Sequence, residues 1–292
     1  MMYHSIIMKM KKIQLLPNVI TAFGLCCGLF AIFKMNMTPP GEVTHSVLLI
    51  TTAIVILGAF ADVLDGALAR AMKAESEFGG FFDSLADAIT FGVAPSVIVL
   101  KSLSVTPGTD LSYLVTAGAM VYSVCGVLRL VRFNILSQRA AEDEALSDAH
   151  KKNFTGLPIP AAAAAAISGN LFLLSDELNS LVSISQTARA WILFFQMVIL
   201  GYFMISRWKF PSLKALHIRV HSFERVFLIV LFTVFVLFYG IMQHFSVVFV
   251  LISWSYLVVA WVLSIVRLIS GKKSKTLEDF EPEPDELDEH ED

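Results

Sequence analysis

Four aspartates fall within one window of the chain: Asp62, Asp65, Asp83 and Asp87, in ADVLDGALARAMKAESEFGGFFDSLADAITFGVAPS (residues 61–96). Asp62 and Asp65 are spaced i, i+3 and Asp83 and Asp87 i, i+4, so on helices each pair shares a face. Two adjacent helices would aim both pairs at one point. An aspartate at a bilayer centre costs about 2.5–3.5 kcal/mol on insertion scales. The cost is lower near the interface, but mutual repulsion adds to it. Arg70 is the one cation close enough in sequence to help, and a single positive charge does not balance four negative ones. Two divalent cations would, and oxygen-only ligands favour Mg²⁺, Mn²⁺ or Ca²⁺ over zinc. A pair of such ions is the usual clamp for phosphoryl displacement. The small residues Gly66, Ala69, Gly79 and Gly80 between the aspartates leave room for a bulky group against the backbone.

The elements that must position these side chains belong to a membrane. The chain has 292 residues, 56% of them hydrophobic and 16% charged, with a mean hydropathy of +0.69. Soluble domains carry roughly 25% charged residues, so a soluble enzyme with one compact core is excluded, as is disorder over most of the length. Eight apolar runs are expected to be helices, at about 15–33, 46–66, 80–100, 112–135, 158–175, 190–206, 226–242 and 246–269. Each is near the roughly 20 residues that a span requires. The first run ends in FKMNMTPP, not a small-residue cleavage site, so it is expected to be a retained helix and not a signal peptide. The fold class is therefore all-α, a polytopic bundle of about eight transmembrane helices, the last two a tight hairpin. Gly24 and Gly28 on the first span and Ala161–Ala166 on the fifth suit close helix packing in lipid.

Orientation follows from the basic residues. With a cytoplasmic N-terminus, 19 of the 22 Lys and Arg fall on the cytoplasmic side, and only Lys34, Lys101 and Arg189 on the other. By the positive-inside rule, both termini and the aspartates face the cytoplasm of a multi-pass cell-membrane protein. The net charge of −3 hides an asymmetry, because residues 277–292 hold ten of the 25 acidic residues and no Lys or Arg. That block reads as a disordered, solvated tail. Cys26, Cys27 and Cys125 lie in apolar runs and imply no disulfide framework.

Asp62-x-x-Asp65-Gly66-x-x-Ala69-Arg70, eight residues, then Gly79-x-x-x-Asp83-x-x-x-Asp87 resembles the complete signature of the CDP-alcohol phosphatidyltransferases, with eight identities fixed within 26 positions. The resemblance implies a six-helix core, here residues 15–206. Before it comes a basic cytoplasmic N-terminus, 1–14. After it come a basic connector, 207–225, a C-terminal hairpin, 226–270, and the acidic tail, 271–292. It further implies that Asp62, Asp65, Asp83 and Asp87 hold Mg²⁺ or Mn²⁺, with two ions expected and Ca²⁺ a possible occupant. Asp87 would also serve as general base, and Gly66, Ala69, Arg70 and Gly79 would line the CDP moiety. A homodimer is implied as well.

Further segments resemble one branch of that family, the bacterial and archaeal phosphatidylserine synthases. They are Ser84-Leu85-Ala86-Asp87 with Phe91-Gly92-Val93-Ala94-Pro95, Leu16-Pro17-Asn18-Val19-Ile20-Thr21, Arg129-Leu130-Val131-Arg132-Phe133-Asn134 and Phe154-Thr155-Gly156-Leu157-Pro158-Ile159-Pro160. Val131 stands where alanine is commoner, a minor departure. The likeness implies transfer of a phosphatidyl group from CDP-diacylglycerol to L-serine with release of CMP. Asn18 and Thr21 would contact the nucleotide, and Arg129, Arg132 and Phe133 would contact the serine. Arginine recognises carboxylates bidentately, though Arg129 and Arg132 also suit headgroup anchors. Glycerol 3-phosphate or inositol phosphate are the alternative acceptors. A cation transporter is the reading from another class, but it expects carboxylates deep within spans and repeated halves. The expected partners are the two substrates and membrane lipids, with no nucleic acid. His217 and His221 are spaced i, i+4 in a strongly basic segment that reads as a connector on anionic lipid, not a zinc site.

Overall fold

The computed structural model describes the backbone of residues 2–39, 41–74, 76–142, 154–206, 209–210, 240 and 242–269. Side chains are described for 15–39, 41–74, 76–136, 156–206, 240 and 242–262. The acidic tail, His217, His221, most of the connector and most of the expected seventh span lie outside the described residues.

The described elements are helical apart from one two-residue bridge. In chain order they are α1 (Met2–Met37), α2 (His45–Ala71), α3 (Glu77–Asp87), a π-helical segment (Ala88–Val93), α4 (Ala94–Ser102) and α5 (Asp110–Glu142). Then follow β1 (Phe154–Thr155), α6 (Ile159–Leu173), α7 (Asp176–Leu181), α8 (Gln186–Ile205), β2 (Lys209–Phe210) and α9 (Phe245–Ile269). The strands pair antiparallel, Phe154 with Phe210 and Thr155 with Lys209. Among the described residues six helical stretches are long and apolar enough to cross a membrane: Leu15–Met37, His45–Ala71, Glu77–Ser102, Asp110–Leu136, Gln186–Ile205 and Phe245–Val262.

The expected fifth span is shorter than the other described ones. Residues 158–175 form the 15-residue helix α6, opened by Pro158 and Pro160 and stopped before Ser175, whose side chain caps α7. At 1.5 Å per residue this is about 22 Å, short of a roughly 30 Å hydrocarbon core. Its alanines explain where it sits: Ala162, Ala163, Ala165 and Ala166 are all buried, and α6 packs against α4, α8, α9 and the π segment. A helix that is apolar all round belongs inside a bundle.

The first span is packed as its glycines suggest. A Cβ on Gly28 would meet the Cα of Thr90 at 2.8 Å, and one on Gly24 would meet Ala61 Cβ and the Gly58 carbonyl at 3.4 Å. Glycine therefore lets α1 lie directly on α2 and on the π segment, where dispersion contacts must replace the hydrophobic drive.

The π segment follows Asp87 at once, and its cause is local. Pro95 has no N–H to give the Phe91 carbonyl four residues back. Buried Tyr122 of α5 donates its hydroxyl to that carbonyl instead, at 3.0 Å, and Ser123 donates to the Gly92 carbonyl at 3.0 Å. The backbone groups left by the wider turn are thus satisfied from α5, as burial in lipid demands.

The C-terminal helix α9 is part of the bundle. Ser253 and Ser168 hydroxyls lie 2.6 Å apart, Trp254 Nε1 donates to the Ala165 carbonyl at 3.3 Å, and Ser246 meets His45 at 2.8 Å. Near its start His244 approaches Glu177 of α7 at 3.1 Å. The Glu177 carboxyl lies below the ordinary range because its own backbone N–H and then His244 hydrogen-bond to it.

Candidate active site

Each half of the aspartate window ends where it can face the other. Helix α2 stops at Ala71, and Lys73 turns the chain with a φ of 49°. Helix α3 restarts under the cap of Ser76, which accepts from Gly79 N–H at 3.0 Å. Both helices pack against α1, and the spacing of each aspartate pair becomes a shared face. Asp62, Asp83 and Asp87 each offer an oxygen within 4.8 Å of the others. On the outer flanks of the same helices Val63, Leu64, Phe78 and Leu85 are exposed, the surface lipid would cover.

Asp65 stands slightly apart from those three. It is 3% exposed, and its Oδ2 accepts from the Thr21 hydroxyl of α1, which also reaches the Pro17 carbonyl at 3.1 Å. Its Oδ1 is buried with no hydrogen-bond partner. Among the described residues no lysine or arginine forms an ion pair with any of the four. Arg70, the sequence-adjacent cation, is exposed; Arg129 of α5, half-buried, lies within electrostatic range of Asp87.

Two adjoining spaces, with three lining residues in common, open on this group. The inner one, about 10 Å³, is lined by Asp62, Asp65, Asp83, Asp87, Thr21 and Thr90 among others, room for one water-sized body. The outer one is about 160 Å³ and shares Asp65, Asp83 and Thr21 with it. Asn18, Thr21, Gly66, Ala69, Arg70 and Gly79, the expected nucleotide contacts, all line this outer cleft. The expected acceptor contacts separate: Arg129 is half-buried, while Arg132 and Phe133 are exposed, and none of the three lines either space.

The donor set fits a divalent cation. Three carboxylates crowd together without a paired cation, and a fourth leaves a buried oxygen unpartnered; buried charge without such compensation is unfavourable. All the ligands are oxygen, which suits hard cations.

Three features were not legible as functional. Ser84, between Asp83 and Asp87, is hydrogen-bonded to Asn134 of α5. Tyr122 secures the π segment behind Asp87. Tyr256 of α9, half-buried, lies within electrostatic range of Arg129. Only the first left a trace, since both residues belong to quoted motif segments; nothing in the sequence pairs helices so far apart.

The pattern that defines the CDP-alcohol phosphatidyltransferases matches residues 14–200. The chain belongs to that family, and it is a membrane-embedded transferase. Its relatives include proteins named CDP-diacylglycerol–serine O-phosphatidyltransferase. That of Helicobacter pylori is 29% identical over 91% of this chain and 98% of its own length. That of Bacillus subtilis is 31% identical over 72% of this chain and 95% of its own length. That of Mycobacterium leprae is 36% identical over 159 residues, 53% of this chain and 46% of the relative. The match to the latter thus spans about half of each protein.

Proposed function

We propose that this protein transfers the phosphatidyl group of CDP-diacylglycerol to the hydroxyl of L-serine, giving phosphatidylserine and CMP. The observation that carries the reading is the adjacency of two spaces: a carboxylate cluster shares Thr21, Asp65 and Asp83 with a cleft lined by all six expected nucleotide contacts. The names of the relatives support serine as acceptor, and so does an arginine, Arg129, within range of Asp87.

In this reading Asn18, Thr21, Gly66, Ala69, Arg70 and Gly79 seat the cytidine diphosphate. The acyl chains extend past the apolar flank of α2 and α3. Arg129 holds the serine carboxylate and so turns the hydroxyl toward Asp87, with Arg132 and Phe133 the further acceptor contacts that the family likeness implies. Asp87 takes the hydroxyl proton as the serine oxygen bonds to the phosphorus that bears diacylglycerol. The bond from that phosphorus to the CMP oxygen breaks, and CMP departs with the electron pair. Positioning and electrostatics supply most of phosphoryl transfer, so no nucleophilic side chain is needed. Asp62, Asp65, Asp83 and Asp87 would hold the divalent metal, Mg²⁺ or Mn²⁺ as a pair of ions, with Ca²⁺ an alternative occupant. A metal held there would supply positive charge to offset the carboxylates and the diphosphate. The charge distribution supports a cytoplasmic site and cytoplasmic termini, and family likeness supports a homodimer. The same likeness supports residues 15–206 as the catalytic core, residues 1–14 and 207–225 as cytoplasmic basic segments and 226–270 as a hairpin.

The test uses purified protein with CDP-diacylglycerol, Mg²⁺ or Mn²⁺, and serine, glycerol 3-phosphate or inositol phosphate in turn, following CMP. Serine should release CMP well above the other alcohols. Asp87→Asn should lower turnover about 10²–10⁴-fold with every acceptor while melting in detergent like the wild type. Metal should raise the melting temperature of the wild type and not of Asp83→Asn. Near-normal turnover by Asp87→Asn overturns the base assignment, and CMP release with glycerol 3-phosphate alone overturns the acceptor.

A further inference from the structure

Helix α3, the π segment and α4 form one rod, and α5 runs antiparallel beside it. Hydrogen bonds stitch the two along their length. Ser96 Oγ reaches the Ala119 carbonyl at 3.1 Å and Ser123 Oγ at 2.7 Å, and Tyr122 reaches the Phe91 carbonyl at 3.0 Å. The stitch nearest the carboxylates is Ser84 with Asn134: Asn134 Nδ2 donates to Ser84 Oγ at 3.0 Å, and Asn134 Oδ1 lies 3.1 Å from the same oxygen. The Ser84 hydroxyl also lies 3.1 Å from the Gly80 carbonyl of its own helix. A hydroxyl has one proton and two lone pairs, so it can accept from Asn134 while donating along α3. Its geometry therefore joins the two helices.

The placement of this joint distinguishes it from the other stitches. Ser84 adjoins Asp83 and precedes Asp87 by three residues. Asn134 is five residues beyond Arg129, about 7.5 Å along α5 at 1.5 Å per residue. The antiparallel register therefore sets Arg129 beside Asp87 and Asn134 beside Ser84. On the outward flank of α3, Phe78, Phe81 and Leu85 are 68%, 46% and 63% exposed, so among the described residues no protein group covers the helix on that side. The nucleotide cleft is built by α1, α2, the Ala74–Ser76 turn and the first half of α3, with no residue of α5.

We propose that Ser84 and Asn134 are a positioning pair that sets the spacing and rotation between the helix carrying Asp87 and the helix carrying Arg129. They thereby decide how a hydroxyl-bearing, carboxylate-bearing acceptor is presented. The pair acts through Asp87 and Arg129 and touches neither substrate. The inference rests on the serine reading above, in which those two residues handle the acceptor.

The measurement is a double-mutant cycle on the full-length protein, with Ser84→Ala, Asn134→Ala and the double variant. CMP release is followed against serine and against CDP-diacylglycerol, beside a detergent melt. Each single change should raise the KM for serine about three- to tenfold, the scale of one neutral hydrogen bond. The KM for CDP-diacylglycerol should stay within about twofold, because the cleft does not use α5. The double variant should lose no more than the worse single one, and Ser84→Thr, which keeps the hydroxyl, should stay near the wild type. Additive losses, an unchanged serine KM, or equal rises in both KM values overturn the pair. If a variant melts early, the comparison with Ser84→Thr decides, since a fold defect from lost packing would move both substrates together. Should the wild type release CMP only with glycerol 3-phosphate, the serine reading fails by itself, and the cycle is scored on that alcohol.

Discussion

Gly66 and Gly79 both line the cleft, yet a methyl group would meet different things at the two positions. On Gly79 it would press on Ser76 Oγ at 3.0 Å and Asn18 Oδ1 at 3.1 Å, disturbing the cap of α3 and the approach of α1. On Gly66 it would meet only the Arg70 guanidinium, at 3.5 and 3.9 Å, which is ordinary contact. Alanine also favours a helix interior over glycine by up to about 1 kcal/mol. Gly66→Ala should therefore melt at or above the wild-type temperature while raising the KM for CDP-diacylglycerol severalfold and sparing that for serine. An unaltered KM for the nucleotide lipid would remove Gly66 from the cleft wall. Asp65 illustrates the same point differently: one oxygen is engaged by Thr21 and the other is buried without a partner, so a bound cation would satisfy it where no protein group does.

At the scale of elements, the π segment joins α3, which ends at Asp87, to α4. Pro95 frees the Phe91 carbonyl, and Tyr122, 0% exposed, supplies the donor. Removing that hydroxyl strands a buried carbonyl, for which about 1–3 kcal/mol is typical. Tyr122→Phe should thus unfold earlier in a denaturant titration in detergent by about that amount. A melt equal to the wild type would mean the carbonyl finds another donor. Gly28 belongs to the same construction, since the backbone of Thr90 leaves no space for a side chain there. These contacts explain why a wide helical turn is stable at this level of the bundle.

Across the whole molecule, the polar knot at the opposite end balances the carboxylate site. Arg189 of α8 is 3% exposed and donates to Asn170 Oδ1 of α6 at 2.9 Å, an oxygen that also accepts from Ser102 at the end of α4. The guanidinium lies near the C-terminal ends of α4 and α6, where helix dipoles favour a cation. Asn170→Ala removes a charge-assisted acceptor and should cost about 1.5–3 kcal/mol. Arg189→Met replaces the buried cation by an apolar chain of similar length and should be far milder. Paired detergent melts of the two variants check this, and a milder effect from Asn170→Ala would assign the stability to something other than the hydrogen bond. The knot links three helices, while α9, beyond the matched 14–200 stretch, is bonded to α2 and α6.

From its residues alone the chain disclosed the membrane setting and the two aspartate pairs, while the six residues that line the outer cleft were pointed to by its resemblance to a family. The first two depend on local regularities: long apolar runs and carboxylates one helical turn apart. Tertiary structure decided what those regularities leave open. It set Asp65 against Thr21, placed Arg129, half-buried, within electrostatic range of Asp87, and left Arg70 and Arg132 exposed. It also made the fifth apolar run a short interior helix and joined Ser84 to Asn134. These depend on which helices become neighbours and on their relative rotation, and a period of 3.6 residues along one helix carries no information about the rotation of another.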